Sequence, residues 1–234
     1  DDSATITVTV DLAPDAGIDG LNEFCTSDAT VDLITFLGGT PDATGTWSPA
    51  LTSGTGMFDP LVDVTGIYTY TVSNGVCADA IAIVDVTVYT AANAGNNNSI
   101  TLCSNSPTED LYTLLGSSDL GGTWSPVLTS GTGIFDPAID AAGVYTYTIT
   151  GTGVCADDTA TVTVSIDAEP NAGTDNTIEF CSTDATFDIF TLLGGAPDTT
   201  GTWSPALASG TGVFDPATDT GGIYTYTVSN GVCV

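Results

Sequence analysis

The chain has 234 residues, a net charge of −29 and no lysine, arginine or histidine. Without cationic side chains it cannot displace the counterions of nucleic acid, and it is not attracted to anionic membranes. The usual general bases are also missing, so we predict that the chain is not an enzyme. Apolar residues make up 42% of the sequence and charged residues 12%, which favours a packed core over an acidic disordered segment.

The sequence repeats three times. Two series of cysteines, each with a spacing of 78 residues, set the period: Cys25, Cys103 and Cys181, and Cys77, Cys155 and Cys233. This period predicts repeats at 11–90, 91–168 and 169–234, preceded by a segment at 1–10. That segment matches the last strand of a repeat, and the third repeat stops before its own copy of that strand. We expect an excerpt from a longer array; the alternative is that residues 1–10 complete the last repeat of another molecule by strand donation.

The first complete repeat contains short strands separated by Gly, Pro, Asn and Asp turns, a pattern typical of an all-β sandwich. Residues 30–33 begin a strand, or else Asp32 caps one helical turn over 33–37. Further strands are predicted at 46–48, 57–58 and 67–73. An Asn-Gly hairpin signal then precedes a final strand, which places four apolar side chains on one face: Ala82, Val84, Val86 and Val88.

The cysteines predict one disulfide per repeat, because two of them recur in each period. The expected pairs are Cys25–Cys77, Cys103–Cys155 and Cys181–Cys233. Each would tie the end of the first strand to the start of the last one, and closing such a loop stabilises a fold by about 4 kcal/mol. Disulfides persist in oxidising compartments, so we predict that the protein is extracellular.

Paired aspartates recur in one loop of each repeat and form a candidate calcium site. The pairs are Asp59 with Asp63, Asp136 with Asp140, and Asp215 with Asp219. Calcium takes six to eight oxygen ligands, so two carboxylates fall short. The competing interpretation is that Asp59 caps a turn and that Asp63 supports the turn before Tyr68. We predict no bound cofactor, with Ca²⁺ as the one open candidate.

One tryptophan per repeat lies in a short predicted strand, and these residues are Trp47, Trp124 and Trp203. Sugar binding by exposed tryptophans is one interpretation, and packing in the core is the one that we favour. A separate asymmetry concerns the outward face of the last strand. The chain contains three copies of this strand, and the middle one, at the end of repeat 11–90, carries Ile81 and Ile83. The other two copies carry Ser or Thr at these positions. These isoleucines are covered within their domain, or they contact a neighbouring domain or chain.

Two features resemble immunoglobulin domains. The run from Asp63 to Tyr68 resembles a tyrosine corner, in which a Tyr hydroxyl bonds back to the preceding turn. The Cys–Trp–Cys order is also similar, although Cys77 follows Tyr68 by nine residues rather than two. The resemblance implies an all-β fold of tandem Ig-like antiparallel β-sandwich repeats.

The motif GTWSPALxSGTGxFDPxxDxxGxYTYTV resembles the Ig-like repeats of giant Bacteroidetes surface proteins. These proteins are typically exported by the type IX secretion system and include gliding-motility adhesins of the SprB kind. The resemblance implies an elongated, surface-anchored role outside the cell. Three Asp-Ser/Thr-small tripeptides are similar to the O-glycosylation sites of such exported proteins, and their candidate acceptors are Ser3, Thr159 and Thr199.

Together these features predict a structural extracellular filament, stalk or adhesin repeat region on a bacterial cell surface. Its partners are expected to be further repeats of the same chain and lateral copies, with an adhesion target or glycan that the sequence does not name. Neither nucleic acid nor direct membrane insertion is expected. Two alternatives stay open at this point: a spacer or carbohydrate-binding array of a large secreted enzyme, and a sheath or surface-layer polymer.

Overall fold

The computed structural model describes residues 1–54, 57–131, 133–208 and 212–233. Their regular elements are strands and short 3-10 helices, so the predicted all-β, Ig-like sandwich fold is confirmed. The chain folds as two units. The first consists of Asp1–Gly95, Ser117–Thr123 and Thr148–Thr159, and the second consists of Asn96–Gly116, Trp124–Tyr147 and Ala160–Val234. The repeat boundaries taken from the sequence period stay predictions.

The first unit contains one four-stranded sheet. Its strands are β1 (Gly20–Cys25), β2 (Thr46–Ser48), β3 (Gly66–Val72) and β4 (Ala80–Tyr89). The order across the sheet is β1-β4-β3-β2. Strand β3 runs antiparallel to both of its neighbours, whereas β1 runs parallel to β4. This parallel pair determines where the first cysteine of the repeat lies.

The core of the first unit lies on the inner face of this sheet. Alternation in β3 and β4 sends Tyr68, Tyr70, Val84 and Val86 inward, since successive side chains in a strand point to opposite faces. Phe58 packs against this face, and its ring centroid lies 5.5 Å from that of Tyr68 in an edge-to-face arrangement. The remaining buried members of the cluster are Ala16, Phe24, Leu33, Leu37, Val72 and Ala82.

Residues 30–33 contain both predicted features, because Val31 forms an antiparallel bridge with Phe58 and a short 3-10 helix follows it. The helix spans Leu33–Phe36, and the Asp32 carboxylate accepts a hydrogen bond from the Ile34 amide at 3.1 Å. An aspartate favours this arrangement because its short side chain satisfies an amide that has no partner inside the helix. Equivalent helices follow Asp110 and Asp188, at Leu111–Leu115 and Ile189–Leu192. The predicted cap by Asp32 is therefore confirmed, and the predicted strand is limited to the residues before it.

Six strands are described in the second copy of the sequence. They are β5 (Asn98–Cys103), β6 (Glu109–Asp110), β7 (Thr123–Ser125), β8 (Ile134–Phe135), β9 (Gly143–Ile149) and β10 (Asp158–Asp167). A four-stranded sheet has the order β5-β10-β9-β7, and β6 pairs with β8. Strand β5 is parallel to β10, as β1 is to β4.

The third copy forms less sheet. Its described strands are β11 (Phe187–Asp188), β12 (Thr202–Ser204), β13 (Val213–Phe214) and β14 (Thr225–Thr227). They form only two-stranded sheets, β11 with β13 and β12 with β14. Strand β14 has three residues, whereas β3 and β9 have seven each. Residues 1–10 are exposed and belong to no strand, and their assignment to a preceding repeat stays a prediction.

Candidate functional site

Cys25 is bonded to Cys155, with their Cα atoms 5.1 Å apart. Cys25 ends β1 and lies opposite Tyr89, the last residue of β4. The Cys155 sulfur lies 3.5 Å from the Tyr89 carbonyl oxygen, so it meets Cys25 at the same end of the strand pair. The bond therefore joins the first cysteine of one sequence repeat to the second cysteine of the next.

The second disulfide, Cys103–Cys233, repeats this arrangement with a Cα–Cα distance of 5.2 Å. Cys103 ends β5 and lies opposite Asp167, and the Cys233 sulfur lies 3.7 Å from the Asp167 carbonyl oxygen. The Asn230 side-chain amide donates to the Ala168 carbonyl at 3.0 Å and so holds the cysteine loop against the strand end. Both disulfides span 130 residues of sequence.

The predicted pairs Cys25–Cys77, Cys103–Cys155 and Cys181–Cys233 are therefore wrong. The error lies in the direction of the first strand. Because β1 is parallel to β4, Cys25 lies at the Tyr89 end of β4, whereas Cys77 precedes its other end at Ala80. Ten residues of strand extend over about 30 Å, far beyond the reach of a disulfide.

Two cysteines are unpaired in the described chain. Cys77 is half-buried, and its sulfur lies 3.9 Å from the Asp11 carbonyl oxygen and 3.8 Å from that of Leu12. The Asn74 side-chain amide donates to the same Leu12 oxygen at 2.7 Å. Cys181 is exposed, and its backbone amide donates to Asp184 at 2.7 Å. The surroundings of Cys77 thus match those of Cys233.

The candidate calcium carboxylates are occupied by backbone amides. Asp63 is buried and accepts hydrogen bonds from the amides of Thr52, Ser53 and Asp59 at 2.5 to 3.2 Å. Burial opposes its ionisation, but these hydrogen bonds outweigh burial and lower the pKa of Asp63 below its ordinary value. Asp59 in turn accepts from the Leu61 amide at 3.0 Å. These contacts support a structural role for the pair.

The other two copies of this loop use their aspartates in the same way. Asp140 accepts from the Asp136 amide at 2.9 Å, the Ser130 hydroxyl at 2.8 Å and the Thr129 amide at 2.6 Å. Burial opposes its ionisation, but these bonds outweigh burial and lower the pKa of Asp140. Asp219 accepts from the amides of Ala208 and Asp215 at 2.6 and 2.8 Å. No group of three or more candidate metal ligands occurs among the residues that the structure describes.

The tyrosine corner is present in each copy. The Tyr68 hydroxyl donates to the Val64 carbonyl at 2.8 Å, and Tyr145 and Tyr224 make the equivalent bond at 2.7 Å each. Burial, together with the nearby Asp63 charge, raises the pKa of Tyr68. The predicted hydrogen bond from the tyrosine to its preceding turn is thus confirmed.

Sequence reasoning missed a second tyrosine bond. The Tyr70 hydroxyl donates to the Asp42 carbonyl at 2.6 Å and accepts from the Gly45 amide at 2.8 Å, which anchors the loop before β2. Tyr226 repeats both contacts. The sequence signal that could have indicated this bond is a second Tyr, two residues after the corner tyrosine, in every copy.

Each tryptophan packs against a tyrosine of the neighbouring strand. The ring centroids of Trp47 and Tyr70 lie 4.8 Å apart, and Trp124 and Trp203 contact Tyr147 and Tyr226 at 5.1 and 5.0 Å. All three tryptophans are half-buried, and Trp47 packs against the core cluster of the first unit. Their contacts favour packing over sugar binding.

The remaining candidate residues lie at the surface. The side chains of Ser3, Thr159 and Thr199 are exposed, and their glycosylation stays a prediction. Ile81 is 64% exposed, and Ile83 is half-buried. Contact between these isoleucines and another chain also stays a prediction. No helix in the described part of the chain is long and apolar enough to cross a membrane.

Known structures similar to this chain contain tandem immunoglobulin domains. The insect immune protein hemolin is 12% identical, with a TM-score of 0.33; the match covers 65% of this chain and 46% of hemolin. The titin I-band fragment I67–I69 is 10% identical, with a TM-score of 0.28 and 68% of each chain covered. This chain thus spans about half the length of hemolin. No family model matches the sequence, and a comparison with curated proteins finds no relative.

Proposed function

We propose that this chain is a structural segment of an extracellular filament or adhesin stalk on a bacterial cell surface. The observation that supports this function most directly is that two first cysteines each pair with the second cysteine of the next repeat, in Cys25–Cys155 and Cys103–Cys233. Such bonds form in oxidising compartments. They also connect successive repeats covalently, in addition to the backbone, so that pulling on the ends does not draw out the whole chain.

The effect on length follows from the order of the bonds. Between Cys25 and Cys233 lie 208 residues, which would extend over ~730 Å if nothing joined them. With both disulfides present, the shortest covalent route crosses one bond, follows the 52 residues between Cys155 and Cys103, and crosses the other. That route extends over only ~180 Å. The overlapping bonds therefore limit the extension between Cys25 and Cys233 to about a quarter of its value in the reduced chain.

Single-molecule force extension of the chain tests the mechanical role. Handles are attached near residues 20 and 230, and the chain is pulled before and after reduction of its disulfides. We expect the fully extended length to increase about three- to fourfold on reduction. Equal lengths under the two conditions would remove the basis for a tension-resisting role. Labelling of unpermeabilised source cells with an antibody against the chain tests the surface location separately.

We include in this proposal that the filament belongs to the type IX secreted, gliding-motility class, on the sequence resemblance to giant Bacteroidetes surface proteins alone. Lateral packing into a sheath or surface layer is a second candidate, favoured by the 64% exposure of Ile81 on the outer face of β4. Imaging of native material distinguishes single fibres from sheets or tubes. Replacement of Ile81 and Ile83 by Thr, the type of residue in the other copies, should disperse lateral assemblies and leave single fibres intact.

A further inference from the structure

An Asn-Gly dipeptide precedes the second cysteine in two of the three copies of the sequence. The two sites are residues 74–75 and 230–231, and the middle copy has Thr-Gly at 152–153 instead. In chain order, the three glycines have φ angles of 72°, 59° and 77°, a conformation that glycine adopts readily. The turn therefore needs its glycine, whereas the residue before the glycine can be Thr as well as Asn.

The Asn230 side chain holds this turn on two sides. Its carbonyl oxygen accepts hydrogen bonds from the backbone amides of Val232 and Cys233 at 3.1 and 2.9 Å. Its amide nitrogen donates to the carbonyl oxygen of Ala168 at 3.0 Å, directly after the end of β10. Asn74 makes the corresponding three bonds in the first copy. Asn230 thus fastens the turn that carries Cys233 to the chain after β10.

Asparagine followed by glycine is also a chemically reactive pair. The backbone nitrogen of the glycine can attack the side-chain carbonyl carbon of the asparagine, because a small unstrained ring closes and glycine has no side chain to hinder the approach. Asn230 and Gly231 are both exposed, so water reaches this pair. Thr152 has no amide group, so the same reaction is impossible in the middle copy.

We propose that residues 230–231 are a self-modification site, at which Asn230 is converted into aspartate or isoaspartate, and that the Cys103–Cys233 bond controls the rate of this conversion. In the first step the Gly231 nitrogen bonds to the Asn230 Cγ, the Cγ–Nδ2 bond breaks, and ammonia leaves with the proton of the Gly231 amide. Water then opens the resulting succinimide at one of its two carbonyl carbons. This proposal is independent of the location and the mechanical role of the protein.

The folded turn opposes ring closure at both reacting groups. The Gly231 amide donates to the Ser229 hydroxyl at 3.2 Å, so its nitrogen retains the proton that it must lose. Ring closure moves the Asn230 Cγ to bonding distance of that nitrogen and removes Nδ2, so the hydrogen bond to Ala168 must break. Cys233 is 4% exposed, and its disulfide fastens the turn to the end of β5. Reduction of this disulfide should therefore permit the reaction.

The product holds the turn less firmly. An aspartate at position 230 still accepts from the amides of Val232 and Cys233, but its ionised carboxylate has no proton to donate to the Ala168 carbonyl. Two oxygen atoms then face each other across the former hydrogen bond, which leaves the Ala168 oxygen without this donor. An isoaspartate disturbs the turn further, because it adds a carbon atom to the main chain. A converted turn should therefore rejoin Cys103 less readily, so that a reduced bond is marked permanently.

The two disulfides of the chain thus differ in reversibility. Cys155 follows the Thr152 turn, in which the Cys155 amide donates to the backbone carbonyl of Thr152 at 3.0 Å. Opening of Cys25–Cys155 leaves that turn chemically unchanged, so this bond can form again. Opening of Cys103–Cys233 starts an irreversible reaction at Asn230. One bond responds reversibly to reducing conditions, and the other records that they have occurred.

Mass spectrometry of the full chain tests the conversion. The oxidised chain and a Cys103→Ser, Cys233→Ser variant are incubated at mildly alkaline pH and cleaved after aromatic residues. The peptide that contains Asn230 is then followed for the mass increase that accompanies replacement of its amide by a carboxyl group. We expect conversion in the variant to be at least about tenfold faster, because the turn of the oxidised chain must first open locally.

Two controls separate local opening from general unfolding. The Cys25→Ser, Cys155→Ser variant lacks the other disulfide and should convert Asn230 as slowly as the unaltered chain. Asn230→Thr, which copies the middle repeat, should abolish the mass increase. Equal acceleration by removal of either disulfide would show general unfolding and overturn the control by Cys103–Cys233, as would equal rates with and without that bond. An unreacted Asn230 in the variant without Cys103–Cys233 would overturn the site itself.

The effect of the product on the disulfide is measured separately. Asn230→Asp reproduces one product, and its Cys103–Cys233 bond is reduced and then allowed to form again in a glutathione buffer. We expect the ratio of re-formed to reduced bond to fall about threefold or more, because the hydrogen bond to Ala168 is lost. Asn74→Asp adds the same charge to the first copy and should leave this ratio unchanged. Equal ratios for the two variants would overturn the permanent mark.

Discussion

Cys25 lies opposite Tyr89, at the end of β4 that is remote from Cys77. The parallel direction of β1 thus excludes a bond within the repeat and presents Cys25 to Cys155 of the next one. In an immunoglobulin domain the disulfide joins the two sheets of a single domain. Here the same number of cysteines per repeat links one sequence repeat to the next, and both cysteines of each bond lie in the same unit of the fold.

Peptide mapping under non-reducing conditions checks this connectivity. Trypsin has no site, because the chain contains neither Lys nor Arg, so a protease that cleaves at Asp or Glu is used. We expect the Cys25 peptide to be linked to the Cys155 peptide, and the Cys103 peptide to the Cys233 peptide. Recovery of Cys25 linked to Cys77 would contradict the structure.

Removal of one inter-repeat bond should cost stability. A loop of 130 residues restricts the unfolded chain by about 5 kcal/mol on the chain-entropy model, and the overlap of the two loops makes this an upper value. We expect Cys25→Ser with Cys155→Ser to lower the free energy of denaturant unfolding by about 2–5 kcal/mol. The control is Cys77→Ser, which removes an unpaired thiol. Measured on the monomer, this variant should change the free energy of unfolding by less than about 0.5 kcal/mol.

Asp63 should make stability depend on pH in the acid range. Its folded pKa is lowered, so its contribution is complete above the pKa of the unfolded chain, about 4, and is lost as pH falls through the folded value. Asp63→Asn should lower the free energy of unfolding by about 1–3 kcal/mol at neutral pH. The two carboxylate oxygens of Asp63 accept from the Thr52 and Asp59 amides, whereas an Asn side chain has one oxygen and can accept from only one of the two sites. Denaturant titrations at several pH values measure both effects.

The control for Asp63 is Asp85→Asn, since Asp85 is exposed on β4 and its replacement removes the same charge. We expect unchanged acid dependence in this variant. The difference between the unaltered chain and Asp63→Asn should shrink as pH falls below about 4, and it should level off only below the lowered folded pKa, where Asp63 too is neutral. A difference that stays constant down to about pH 2 would show that Asp63 is not ionised in the folded chain.

Much of the fold follows from local sequence patterns. The alternation of Tyr68, Tyr70 and Val72 predicts the buried face of β3, and the tyrosine corner identifies its hydrogen bond. Strand direction and partner choice do not follow from such patterns. The side chains of residues 20–25 alternate between the two faces in the same way whether the strand runs parallel or antiparallel to β4. The pairing of β1 with β4 in the fold therefore decides which cysteine lies near Cys25. The carboxylate contacts of Asp63 were likewise invisible, because they depend on a loop eleven residues away in sequence.

The two tyrosines of β3 should differ in their contribution to stability. The Tyr70 hydroxyl makes two hydrogen bonds with the loop before β2, whereas the Tyr68 hydroxyl makes one with its own turn. We expect Tyr70→Phe to lower the free energy of unfolding by about 2–3 kcal/mol and Tyr68→Phe by about 1 kcal/mol. In the control Tyr89→Phe, the hydroxyl lost is an exposed one that contacts Glu23 at 3.4 Å, and the change should be close to zero. Equal losses at Tyr70 and Tyr68 would show that the loop contact does not contribute.

The open edge of β14 should be visible in amide hydrogen exchange. Strand β3 pairs with a neighbour on each side, whereas β14 pairs with β12 alone in the described chain. In the Cys77→Ser, Cys181→Ser double variant at low concentration, we expect amides in residues 222–227 to exchange at least about tenfold faster than those in 66–71. Slow exchange in 222–227 would contradict an open edge of β14.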